Sequence, residues 1–405
     1  MERPQKRRLE DEEFAVPESF IRPISPPNKK RRTAPVLKSP WQLTWIQDLP
    51  EDQNRDAVTL KDLLGDPLIS ECWEFNYLHD ISFLMDAFDR DVKDLVKVHV
   101  VHGFWKHEDA NRVSLEQAAA QFDNVQLHVA PMPEMFGTHH SKMMIIFRHD
   151  DTAQVIIHTA NMISKDWTNM TNAVWKSPIL PKTSEEVNAT PLIDQPVGNG
   201  ERFKSDLTNY LRSYDRRRIT YEIRRSLDGY ASGASIHTKI QSSQQAKQLE
   251  YLRPILHHWA NDSPNGKDLA GATMQDGGRQ RAAPHIKTYI RYNAKSIDWA
   301  LLTSANLSKQ AWGEAVHATG EVRIASWEIG VMVWPELLDR DATMVGTFQT
   351  DEPQVTQHGR EDSKPVIGVR IPYNMPLQHY GTKEIPWVAT LAHSEPDWMG
   401  RAWVD

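Results

Sequence analysis

Two histidines, two lysines and two asparagines recur on one spacing in this chain of 405 residues. The first copy is Gly137-Thr-His-His-Ser-Lys-Met-Met-Ile-Ile-Phe147, followed by His158-Thr-Ala-Asn-Met162 and Asp166-Trp167. The second is Ala283-Pro-His-Ile-Lys-Thr-Tyr-Ile-Arg291, followed by Thr303-Ser-Ala-Asn-Leu307 and Ala311-Trp312. Asn161 stands as far beyond His140 as Asn306 stands beyond His285, and each Trp follows its Asn by an equal step. A bare His-x-Lys triplet is weak: a third, His237-Thr238-Lys239, has His258 rather than Asn at the matching place. The shared ruler is what points to one site assembled from two copies.

Those residue types suit phosphoryl transfer. In an extended strand, positions i and i+2 face the same side, so His140 emerges with Lys142 and His285 with Lys287. Neutral imidazole is nucleophilic near pH 7, and imidazolium donates a proton. Lysine places positive charge against phosphate oxygens, and the amides of Asn161 and Asn306 add oriented donors. Two copies face to face set one His on each side of a phosphorus, the arrangement for in-line displacement. The chain has no H-E-x-x-H, no cysteine cluster and no carboxylate set beside either His. A site free of metal and cofactor is therefore expected. His139 and His158 are expected to be packing histidines.

The surrounding elements alternate. Leu95–Val101 and Val125–Ala130 have the patterns of strands, with a helix over Ser114–Phe122 whose N-cap would be Ser114. Met143–Phe147 and Val155–His158 form the next strand pair across the turn His149-Asp150-Asp151. The rhythm returns at Ile286–Arg291, Trp299–Thr303 and Ile329–Trp334. This is an α/β layer pattern. Residues 1–40 are rich in Pro and charge and are expected to form a disordered basic tail. Its clusters Lys6-Arg7-Arg8 and Lys29-Lys30-Arg31-Arg32 suit nuclear import.

Composition narrows the class. A net charge of −7 excludes a general basic coat, so any polyanion site must be a local groove. The single cysteine, Cys72, rules out an internal disulfide framework and fits a reducing compartment. Apolar runs are strand-sized, too short to span a bilayer, and the N-terminus lacks the apolar core of a secretory signal. A soluble intracellular protein is expected.

The duplicated His-x-Lys with its downstream Asn resembles the phospholipase D superfamily. Within it, Asn in place of the common Asp, and the strings GTHHSKMM, HTANMISKDW, PHIKTY and TSANLSKQAWG, are similar to eukaryotic tyrosyl-DNA phosphodiesterases. The resemblance runs from about Trp41 to Trp403. It implies two pseudo-symmetric α/β/α sandwich halves with mixed sheets, over 41–215 and 216–405. It also implies a monomeric DNA-repair hydrolase acting on single-stranded or nicked DNA 3′ ends that carry a tyrosyl peptide. His140 would attack the phosphorus and His285 would protonate the leaving phenolate. Lys142, Lys287, Asn161 and Asn306 would hold the oxygens. Glu328 and Asn172 match the positions that orient the two histidines from the opposite half; Asn172 stands where Gln is usual, with a shorter reach, and is otherwise an exposed helix residue. Phe136 matches a base-stacking position, and Lys309 would touch a DNA phosphate.

One departure is large. Phe203–Tyr214 resembles the end of the first half, and Arg224–Tyr230 already resembles the middle of the second, with Arg216-Arg217-Arg218 at the join. The opening strands of the second sheet are thus expected to be missing. A DNA-end-binding protein without turnover is the alternative this raises; a lipid phosphodiesterase of the same superfamily is the other.

Overall fold

The computed structural model describes residues 35–182 apart from 133, 135 and 136, then 197–214, 253–261, 273–313 apart from 294, 322–354, 364–382, and scattered positions to 402. The basic clusters of the tail, Phe136, Arg216–Arg218 and the third triplet at His237 lie outside the described residues.

Strands fall into two mixed sheets and a short parallel pair, β8 (Met170–Thr171) with β11 (Ala283–Pro284). The larger contains β2 (Trp41–Leu43), β3 (Ile69–Phe75), β4 (Lys97–His102), β5 (Val125–Val129), β6 (Met143–Arg148), β7 (Thr152–His158), β9 (Ala173–Lys176) and β10 (Leu180–Pro181). Its order is β2-β9-β7-β6-β3-β4-β5, with β10 beside β7. β3, β4 and β5 run parallel, and β6, β7 and β9 are antiparallel to their neighbours. The smaller contains β1 (Val36–Leu37), β12 (Thr288–Tyr292), β13 (Ile297–Thr303), β14 (Gly330–Val333), β15 (Thr343–Thr347) and β16 (Val366–Arg370), in the order β1-β16-β15-β13-β12 with β14 beside β13. Val36 and Leu37, within the stretch expected to be tail, pair with Val366 and Ile367.

The centre of the larger sheet is buried on both faces, which is why β6 and the end of β7 are continuous apolar runs. Met144, Ile146 and Ile156 pack with Cys72 towards the helices Leu60–Leu64, Ile81–Asp86 and Ala110–Ala119. Met143, Ile145, Val155 and Ile157 point the other way, to Leu207 and Leu211 of the helix Gly200–Arg212. Met143 to Ile146 are fully buried, each worth roughly 1.5–3 kcal/mol of transfer free energy. The smaller sheet turns Ala300, Leu302, Val333, Ile367 and Val369 towards Trp41, Leu43 and Ala173 of the larger one, so a shared core joins the halves.

Two local expectations shift. The helix expected from Ser114 begins at Ala110, because the Asp109 carboxylate caps it by accepting from Asn111 N–H. The strand expected from Leu95 starts at Lys97; Leu95 itself is exposed on the turn before it.

The repeat is visible in the sheets. β6, β7 and β9 in the first half correspond to β12, β13 and β14 in the second. In both copies the residue three before the Asn, His158 or Thr303, donates its N–H to the carbonyl of the site lysine, Lys142 or Lys287, at 3.1 Å. The copies part at one edge. β6 is flanked by β3, β4 and β5, whereas β12 has no further strand on its outer side among the described residues. The opening strands that the sequence is expected to lack would stand at that edge.

Candidate active site

The histidines emerge just before β6 and β12, held by backbone from the opposite half. His140 N–H donates to Trp327 C=O at 3.0 Å, and His285 N–H donates to Thr171 C=O at 2.9 Å. The next residue in each case is the one that meets the imidazole. His140 Nδ1 donates to Glu328 Oε2 at 3.0 Å, and His285 Nδ1 donates to Asn172 Oδ1 at 2.9 Å. Gly137 allows the first approach, since a Cβ there would collide with the Ala325 carbonyl. These contacts fix the tautomer and the orientation of both rings through Nδ1.

Asn172 is fully buried, which corrects the reading of an exposed helix residue. Its shorter side chain reaches because it sits at the start of β9 and is fixed on several sides. Its Nδ2 donates to Asp166 C=O at 2.8 Å, and its Oδ1 also accepts from Thr159 Oγ1 at 2.8 Å. Glu328 is pinned likewise: Ser304 Oγ donates to its Oε2 at 2.5 Å and in turn accepts from Ile329 N–H.

Lys142 and Lys287 are buried beneath the histidines, each donating to the carbonyl of its own His. Burial lowers Lys142 to about 8, with Glu328, Asp166 and Glu74 pulling the other way. Lys287 lies well below the usual lysine range, from burial first and the charge of Lys142 next. Burial also pushes the Glu328 carboxyl up to about 7. Burial thus disfavours the charged forms of both lysines and of Glu328 at one place.

Asn161 and Asn306 follow β7 and β13 at matching positions, the first buried and the second half-buried. Lys309 is exposed and opens the short helix Lys309–Trp312. His139 is buried beside the site. Its Nδ1 donates to Asn76 C=O at 2.9 Å and its Nε2 accepts from Tyr214 O–H at 2.8 Å, a packing role as expected. His158, also buried, lies against the Trp167 ring. No group of three or more metal-ligating side chains occurs among the described residues.

Sequence reasoning missed Asp166. Its Oδ2 accepts from Asn161 N–H at 2.7 Å and Asn161 Nδ2 at 3.0 Å, and lies 3.2 Å from His285 Nδ1. The signal was present in the repeat, where the second copy has Ala311 at this place.

The family model described as tyrosyl-DNA phosphodiesterase matches residues 40–222 and 219–381. The chain belongs to the tyrosyl-DNA phosphodiesterase family. It is accordingly a hydrolase acting on phosphodiester bonds. The "Probable tyrosyl-DNA phosphodiesterase" of Schizosaccharomyces pombe is 26% identical over 93% of this chain and 98% of its own length. "Tyrosyl-DNA phosphodiesterase 1" of Arabidopsis thaliana is 24% identical, covering 95% of this chain and 78% of that protein. The crystal structure of the yeast tyrosyl-DNA phosphodiesterase superposes with a TM-score of 0.53 at 18% identity, covering 85% of this chain and 97% of that one. The Schizosaccharomyces alignment spans 546 positions, of which 93% of 405 residues fill about 377, so about 170 positions have no residue here. The two family matches overlap at 219–222, close to the sequence join.

Proposed function

We propose that this chain hydrolyses the 3′-phosphotyrosyl bond between DNA and a topoisomerase I-derived peptide through a phosphohistidine on His140. The observation that carries this reading is the reciprocal exchange at the site: each histidine takes its ring partner, Glu328 or Asn172, from the other half. In the first step His140 Nε2 attacks phosphorus, the bond to the tyrosyl oxygen breaks, and that oxygen takes the proton of His285 Nε2. In the second, His285 Nε2 takes a proton from water, the oxygen adds to phosphorus and the P–N bond to His140 breaks. The products are a DNA 3′-phosphate and neutral His140. Lys142, Lys287, Asn161 and Asn306 hold the equatorial oxygens. Phe136 would stack on a base and Lys309 would meet a backbone phosphate, on DNA that is single-stranded or nicked. The protein acts as a monomer in the nucleus on this reading, with the two basic clusters as its import signal.

The test is a 5′-labelled oligonucleotide ending in 3′-phosphotyrosine, incubated in EDTA. Cleavage lost in His140→Ala, with a covalent protein–DNA adduct accumulating in His285→Ala, is the expected result. Tight binding without cleavage by the unmodified protein would overturn the enzymatic reading in favour of an end-binding protein. Loss of cleavage in His285→Ala with no adduct by mass spectrometry would overturn the two histidine roles.

A further inference from the structure

The two halves of the site do not match in charge partners. His140 meets the carboxylate of Glu328, whereas the partner supplied to His285 by the opposite half is the neutral amide of Asn172. Asp166 lies at the same ring nitrogen, its Oδ2 3.2 Å from His285 Nδ1, and is itself buried. Its counterpart in the repeat is Ala311, at the same step past Asn306 and in the equivalent short helix. The turn from Asn to Trp therefore closes in the second copy without a carboxylate, so the turn alone does not require one.

We infer that Asp166 is a positioning residue for His285, sharing its Nδ1–H with Asn172 and supplying the negative charge that stabilises the imidazolium. An amide fixes the ring, and a carboxylate also favours its protonated form. The same oxygen accepts both N–H groups of Asn161, so one carboxylate ties the acid of the second half to a phosphate-binding amide of the first. The other charged groups facing this carboxylate are Lys142 and Lys287, with Glu328 across the site. Burial raises the Asp166 carboxyl above its ordinary value, while the Asn161 N–H and both lysines favour its ionised form.

The inference rests on the proposed role of His285 as acid and base, and the experiment separates the two. Asp166→Asn keeps shape and an acceptor for Asn161 while removing charge. The basic limb of its single-turnover pH profile should move down by about 1–3 pH units, with cleavage above neutrality falling about tenfold or more. Asn172→Asp places a second carboxylate on the same nitrogen and should move the limb up; in the Asp166→Asn background it should restore it. This second variant decides the matter should Asp166→Asn fail to fold. Protonation of His285, followed by nitrogen-15 NMR, should move in the same directions whether or not the protein turns over. Unmoved NMR titrations in both variants would overturn the role of Asp166. Titrations that move while the unmodified protein cleaves no phosphotyrosyl DNA would keep it and reject the proposed reaction instead.

Discussion

Replacing Glu328 by Gln separates two consequences of one buried carboxylate. The residue is 7% exposed, and burial raises its carboxyl from an ordinary 4.5 to about 7 in spite of Ser304, Lys142 and Lys287. A carboxyl raised on folding binds protons more tightly in the native state. Native stability is therefore fullest below the unfolded value and falls as pH rises towards the folded one. The interval from 4.5 to about 7 corresponds to roughly 3 kcal/mol at 1.36 kcal/mol per pH unit. Glu328→Gln removes the ionisation, so it should unfold at higher denaturant than the unmodified protein at about pH 8 and at nearly equal denaturant at about pH 5. Catalysis should move the other way. Exchanging a charge-assisted hydrogen bond for a neutral one forfeits about 1.5 kcal/mol, close to tenfold in the rate of adduct formation. Chemical denaturation across that pH range, beside single-turnover kinetics on phosphotyrosyl DNA, measures both. A stability difference that stays flat with pH would refute the assignment of a strained, ionising carboxylate at Glu328. An unchanged adduct rate would refute its role in orienting His140.

Two further perturbations probe the buried charges and the frame. The lysines are lowered by burial, Lys142 to about 8 and Lys287 further, so a bound anion should draw protons in. Calorimetry of a phosphate or vanadate titration at about pH 8 should show proton uptake; a heat independent of the buffer's ionisation enthalpy would contradict this. Tyr214→Phe leaves His139 Nε2 buried without its donor, which should cost about 1–3 kcal/mol in the denaturant midpoint while the cleavage chemistry is retained. A midpoint equal to that of the unmodified protein would mean that the His139–Tyr214 bond contributes nothing net.

The repeat made much of this site legible. Its ruler fixed two strand pairs and placed His140, Lys142, Asn161, His285, Lys287 and Asn306 at matching positions in the two sheets. Such positions are readable because a period of two forces His and Lys to one face. Glu328 and Asn172 came only through resemblance, since nothing local marks a residue whose partner lies more than a hundred positions away. β3, the strand that pairs with both β4 and β6, was passed over: ISECWEF interrupts its apolar run with Glu71 and Glu74, and Glu74 is buried on a hydrogen bond from Asn76. Asp166 was overlooked because attention to what the copies share hides what only one of them has.

The crossed attachment of the histidines has a consequence for how the two halves depend on each other. Thr171 and Asn172 grip the second histidine by backbone and side chain, and Trp327 and Glu328 grip the first in the same way. Geometrically this is a two-fold handshake, the contact that two identical subunits would make about a symmetry axis. Neither half then holds its own histidine alone, and a rotation of one against the other disturbs both rings together. Selection on either half is selection on the joint. That gives a physical reason for the second half to keep its end of the handshake where its sequence departs from the family pattern.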